Sequence, residues 1–184
     1  MTFTKTTIPE VVIIEPKVFN DKRGYFYESF NQQRFNENIA EINFIQDNES
    51  KSIFGTLRGL HFQKTPFAQA KLVRCILGKV LDVAVDIRVG SPTYGEHVTV
   101  ELSEENKKQL FIPRGFAHGF ITLSEKAVFA YKVDNKYAPE CDSGIIYNDS
   151  MLNIDWGIDE DKLILSPKDK LLTTLKDLES QFVF

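Results

Sequence analysis

The chain carries three histidines, His61, His97 and His118, and the first has the most suggestive setting. In RGLHFQ, residues 58–63, an imidazole lies among apolar residues, three positions after an arginine. Such a histidine can pack in a core, ligate a metal or take a proton. A neutral imidazole, with a pKa of about 6.5, exchanges a proton near pH 7. A carboxylate on its second nitrogen would hold the tautomer and stabilise the imidazolium. Asp82, Asp86 and Asp169 are candidates for that carboxylate, and spacing does not choose among them. Tyr131, in VFAYKV, shares a strand face with Phe129 and Val133. It is either a proton donor or a core tyrosine.

A metal site would ask for more ligands. A histidine two residues after His61 would place two imidazoles on one strand face, the start of a facial site. Gln63 stands there instead. Downstream, IPRGFAHGF carries a P-x-G-x-x-H pattern, Pro113, Gly115 and His118, which resembles the second motif of the cupin jelly rolls. Members of that superfamily often hold a metal on three histidines and a glutamate. Such a site here would consume every histidine of the chain, with no H-x-H pair, so no metal is expected.

The cations near His61 suggest anion recognition. Arg23 and Arg58 suit bidentate phosphate contacts, and Lys71 suits a point-charge role. Alternation puts Lys71 and Arg74 on opposite faces of one strand, so they do not share a site. It also puts Arg58 and His61 on opposite faces. Gly59 between them permits a twist or bulge that would bring both to one ligand.

These side chains need strands to hold them. From LRGLHFQ to SGIIYND, eight short apolar runs recur about every ten residues, separated by turn residues, the pattern of an antiparallel sandwich or barrel. VVII and YFYESF, joined by NDKRG, read as an earlier strand pair, and NFIQDNES as a strand entering a polar turn. Residues 31–41 suit a short helix capped by Asn31. In VLDVAVDIRV, Leu81, Val83, Val85 and Ile87 suit a sheet-to-sheet core, while Val80, Asp82, Ala84 and Asp86 face solvent or a polar cavity. Leu171, Leu172, Leu175 and Leu178 recur at helical spacing in the tail. One domain over residues 1–184 is expected. It comprises an N-terminal arm and helix (1–43), a jelly-roll core (44–150) and a C-terminal segment with a helix (151–184).

Composition narrows the function classes. Of 184 residues 42 % are hydrophobic, including 15 phenylalanines and six tyrosines, enough for a sizeable β-rich core. A net charge of −4 with no basic stripe does not point to nucleic acid. No run of about 18 apolar residues suggests a membrane span. The two cysteines, Cys75 and Cys141, are far apart, and no signal-peptide pattern opens the chain. Both features fit a reducing, cytoplasmic setting.

Taken together, VFNDKRGYFYESFN, FIQDNESKS, LRGLHFQ, AQAKLVRCILGKVLDVAVDIRVGSPTYG, LSEENKKQLFIPRGFAHGFITLSEKAVFAYKV and ILSPKD resemble the dTDP-4-dehydrorhamnose 3,5-epimerase family, from about Ile8 to Leu172. The resemblance implies a cupin-like double-stranded β-helix, all-β apart from short helices, that works without metal or cofactor. It implies a dTDP-sugar substrate, His61 as base with Asp169 as its partner, Tyr131 as the opposing acid and Lys71 as stabiliser of the enolate oxygen. Arg23, Glu28, Gln46, Asn48, Arg58, His118 and Tyr137 fall on nucleotide-sugar positions, with Phe26 and Tyr137 able to stack on thymine. It further implies a homodimer in which an N-terminal strand carrying Arg23, Phe26 and Glu28 crosses to the partner. Related enzymes that invert C3 alone share most of these motifs. A metal-dependent cupin and a non-catalytic sugar-nucleotide module are the other classes considered.

Overall fold

The computed structural model describes residues 1–184. Thirteen strands form in chain order: β1 (Thr2–Lys5), β2 (Val12–Glu15), β3 (Phe19–Asp21), β4 (Gly24–Phe26), β5 (Gln46–Ile53), β6 (Leu57–Gln63), β7 (Lys71–Leu77), β8 (Lys79–Asp86), β9 (His97–Ser103), β10 (Gln109–Ile112), β11 (Phe116–Thr122), β12 (Lys126–Val133) and β13 (Asp142–Gly144). One helix, α1 (Gln32–Asn38), follows β4, with the Asn31 side chain accepting from the Arg34 amide as expected of an N-cap. A six-stranded sheet runs β1-β2-β10-β7-β12-β5, and a five-stranded sheet runs β13-β6-β11-β8-β9. Every strand pairing within them is antiparallel. The result is the antiparallel all-β architecture that the strand spacing predicts, in the jelly-roll form that the resemblance implies.

Between the two sheets lies an apolar cluster in which Val73, Cys75 and Phe129 meet Val80, Ala84, Val100 and Phe120. The inner face of β8 is therefore the one that also carries Asp82 and Asp86, the reverse of the expected assignment. Val83, Val85 and Ile87 point the other way and are covered by Leu152, Trp156 and Leu175 from the C-terminal segment. Burial of each such aliphatic side chain contributes about 1.5–3 kcal/mol, so the segment is a third layer of the fold. β8 is buried on both faces, and alternation alone does not reveal which face meets the other sheet.

The same layer accounts for the tail. The helix expected there is reduced to a single 3-10 turn, Asp169–Leu171. Leu175 is buried and Leu178 partly so, both against the five-stranded sheet, whereas Leu171 is 86 % exposed. Helical spacing of leucines here reflects separate contacts made by an irregular chain. The final QFVF docks on the body: Val183 bridges Val89, and the Phe182 ring meets Phe62 edge-on at 6.0 Å.

β5 is also longer and more polar than the sequence suggests. Its residues QDNESKSI form a full edge strand paired with β12, and Asn48 lies opposite Tyr131. The strand faces solvent on one side and a polar cavity on the other, so it shows no apolar stripe. The short β3–β4 hairpin stands apart, with Phe19, Tyr25 and Phe26 53 %, 57 % and 71 % exposed.

Candidate active site

A cavity of about 510 Å³ opens at one end of the jelly roll. Its walls come from three places. β6 and β11 supply Arg58, His61, His118 and Phe120; β5, β7 and β12 supply Ser50, Lys71, Phe129 and Tyr131; the C-terminal layer supplies Ile164, Leu165, Ser166, Lys168 and Asp169. The sequence expectation that His61, Lys71, Tyr131 and Asp169 share one site thus corresponds to one cavity spanning both sheets and the third layer.

The conflict between Arg58 and His61 is resolved at Gly59. Its φ of +139° is open to glycine and strained for other residues. The β6–β11 register shifts between His118 and Phe120, opposite this position. A Cβ on Gly59 would lie 2.5 Å from the Gly119 Cα, so the bulge also requires the two glycines to pack backbone on backbone. Both Arg58 and His61 consequently reach the cavity. The Arg58 guanidinium is held from behind, its Nε donating to Ser52 Oγ at 3.1 Å.

His61 sits between two carboxylates. Its Nε2 is 2.7 Å from Asp169 Oδ1, and its Nδ1 is 4.0 Å from Asp142 Oδ1. An Nε2–H donating to Asp169 leaves Nδ1 as the basic nitrogen of the neutral ring. Burial works most strongly against the Asp169 charge, but the His61 contact, the Ser166 hydrogen bond and the Lys168 charge together hold the carboxyl below the usual range. The Asp169 amide also donates to Ser166 Oγ at 3.1 Å, which orients the turn carrying it.

The other two aspartates considered for His61 are spent elsewhere. Asp82, fully buried, accepts from His118 Nε2 at 2.9 Å. Asp86 binds Arg88, Ser91 and Thr93.

Burial lowers the Lys71 ammonium to about 8, against the opposing pull of Asp82 and then Asp142. Its Nζ donates to the His61 carbonyl at 3.4 Å. Burial raises the Tyr131 phenol, with Arg58 opposing, so the group keeps its proton at neutral pH. Burial also lowers His118 despite Asp82, which favours a neutral imidazole. The site therefore gathers an imidazole paired with a carboxylate, a protonated phenol and a lysine ammonium around one space.

Not every expected residue lines this cavity. Gln46 and Asn48 continue the face of β5 on which Ser50 and Ser52 lie, with Gln46 Nε2 donating to Asn48 Oδ1 at 2.8 Å. Tyr137, 56 % exposed, donates its hydroxyl to Asp142 at 3.1 Å. Arg23 pairs with Asp21 on the β3–β4 hairpin, and Phe26 and Glu28 line a different groove with Arg34. Arg74 opens onto the opposite side of the six-stranded sheet from Lys71, as alternation predicts.

Sequence reasoning passed over Asp142, Lys168 and Phe120, and named Phe129 only as a neighbour of Tyr131 on one strand face. Lys168 bonds Asp142, which raises the lysine above its ordinary value, and Asp142 also accepts from Tyr137 and lies 4.0 Å from the His61 ring. The only sequence signal of Lys168 was its place beside Asp169 in SPKD. No three His, Cys, Asp or Glu side chains gather as a metal-binding group.

A family model described as dTDP-4-dehydrorhamnose 3,5-epimerase matches residues 5–177. The chain belongs to this family. It is 55 % identical to the dTDP-4-dehydrorhamnose 3,5-epimerase of Shigella flexneri, over 92 % of this chain and 93 % of that one. Identity to the enzyme of that name from Escherichia coli K12 is 54 %, over 97 % and 96 %. The fold superimposes with a TM-score of 0.93 on a dTDP-6-deoxy-D-glucose-3,5-epimerase from Legionella pneumophila, solved with dTDP-4-keto-L-rhamnose. That match has 50 % identity and covers 97 % of this chain and 94 % of the other. A 3′-monoepimerase from Streptomyces bikiniensis in complex with dTDP-quinovose gives 0.88 at 31 % identity, over 94 % and 87 %. Family membership thus joins the chain to epimerases of dTDP-sugars, and the jelly roll is common to both regiochemistries.

Proposed function

We propose that the chain is a dTDP-4-dehydrorhamnose 3,5-epimerase. It converts dTDP-4-dehydro-6-deoxy-D-glucose to dTDP-4-dehydro-L-rhamnose by inverting C3 and C5. The observation that carries the mechanism is the His61–Asp169 contact of 2.7 Å in a cavity whose opposite sheet presents Tyr131.

His61 Nδ1 takes the proton from the carbon next to the C4 ketone. The C–H electron pair moves to the ketone oxygen, giving an enolate that the Lys71 ammonium stabilises. The pair then returns to carbon as Tyr131 delivers its proton from the other face. Exchange with solvent restores the imidazole and the phenol. One ketone acidifies both C3 and C5, so the same groups serve twice and the chemistry calls for no metal or cofactor. Asp169 holds the tautomer and, with Asp142, stabilises the imidazolium.

The remaining contacts bind the nucleotide. Arg58 and His118 face the cavity, Gln46 and Asn48 extend its wall, and Tyr137 offers a ring at the rim beside Asp142. Binding energy from this remote portion positions the sugar. Arg23, Phe26 and Glu28 act in the cavity of a second copy, reached when the exposed β3–β4 hairpin crosses a homodimer. The apolar exposure of Phe19, Tyr25 and Phe26 supports this reading. No helix is long and apolar enough to cross a membrane. The two free cysteines support a cytoplasmic setting for a single-domain enzyme.

The deciding experiment is turnover in D₂O followed by NMR of the product. Deuterium at both C3 and C5 is expected. Label at C3 alone would assign the chain to the monoepimerases.

A further inference from the structure

Gln63 occupies the place where a second metal-ligating histidine would follow His61, and its amide is fully engaged elsewhere. The side chain is 5 % exposed. Its Oε1 accepts from the Ala138 amide at 2.7 Å. Its Nε2 donates to the Lys136 carbonyl at 3.0 Å and to the Phe67 carbonyl at 2.6 Å. Two of these three bonds fall immediately either side of Tyr137, whose ring stays in solvent while its hydroxyl reaches Asp142. The third holds the loop between β6 and β7, which separates His61 from Lys71.

We propose that Gln63 is a positioning residue that clamps the backbone on both sides of Tyr137 and so aims that ring at the nucleotide. Resting on the nucleotide role given to Tyr137 above, the clamp ties the recognition loop to the strand that carries the base. A primary amide is the right group for this place, since one acceptor and two donor hydrogens match one N–H and two carbonyls. A carboxylate of the same size would satisfy the Ala138 amide and face two carbonyls without a proton to give. A methionine of similar volume would leave all three backbone groups unpaired.

Two measurements test the clamp, on Gln63→Met and, should that variant fold poorly, on Gln63→Glu. The first is steady-state kinetics with dTDP binding. KM and the dTDP dissociation constant are expected to rise about tenfold, the scale of one or two lost hydrogen bonds, with kcat within about twofold. On a Tyr137→Ala background the same substitution should add less than about twofold. Additive losses in the double variant, or a parallel fall in kcat, would overturn the proposal. The second is amide exchange in the free protein, where the Ala138 N–H should exchange faster in Gln63→Met. Unchanged protection there would also overturn it. If Ala138 exchange quickens while Tyr137→Ala binds dTDP as the parent does, the clamp stands and the nucleotide role of Tyr137 fails.

Discussion

His61 Nε2 and Asp169 Oδ1 lie 2.7 Å apart although the residues are 108 positions apart in sequence. One comes from β6, second from the edge of its sheet, and the other from a 3-10 turn in the layer laid over that sheet.

Asp169→Asn should therefore lower kcat by roughly 10²–10⁴-fold with KM changed little, because the amide no longer favours the correct tautomer or the imidazolium. Steady-state kinetics, with dTDP binding as a folding control, checks this. Equal losses in rate and affinity would speak against a dyad.

Tyr131→Phe removes the second proton carrier and leaves the first. The variant should wash deuterium into the substrate without accumulating epimer, visible by NMR in D₂O. Unchanged epimerisation would assign the acid to another group.

The alkaline limb of kcat/KM should report Lys71. A neutral amine stabilises an enolate poorly, so activity is lost as pH rises through the folded value of about 8. Asp82 pulls that value upward, so Asp82→Asn should move the limb to lower pH. A limb that stays in place would detach it from Lys71.

Gly59→Ala should cost about 2 kcal/mol or more of stability, since a Cβ there meets the Gly119 Cα on a backbone of positive φ. Urea denaturation measures it. A variant as stable as the parent would show that β6 relaxes freely at the bulge.

RGLHFQ singled out His61 because an imidazole lies among apolar residues with Gln63 where a second histidine would stand, while its partner Asp169 was named only by the resemblance. The geometric puzzle was legible too. Alternation set Arg58 against His61, and the only residue able to reconcile them was the glycine between. Four features were not legible. The two faces of β8 are both buried, so the inward direction of Asp82 leaves no mark on hydropathy. The polar run of β5 looks like a turn because its strand faces a wet cavity and solvent. The tail leucines mimic a helix because contacts of an irregular chain with a sheet below can recur at the same interval. Asp142, in a short edge strand after Cys141, carried no pattern at all.

The third layer has a consequence for synthesis. A growing chain acquires His61, Lys71 and Tyr131 well before Asp169, and the segment that carries Asp169 is anchored by residues that follow it, through Val183 on Val89. Both sheets can be translated while the base still lacks its partner. The third layer's part of the cavity wall and the partner of His61 are made together and late, so a chain released before Asp169 would lack both.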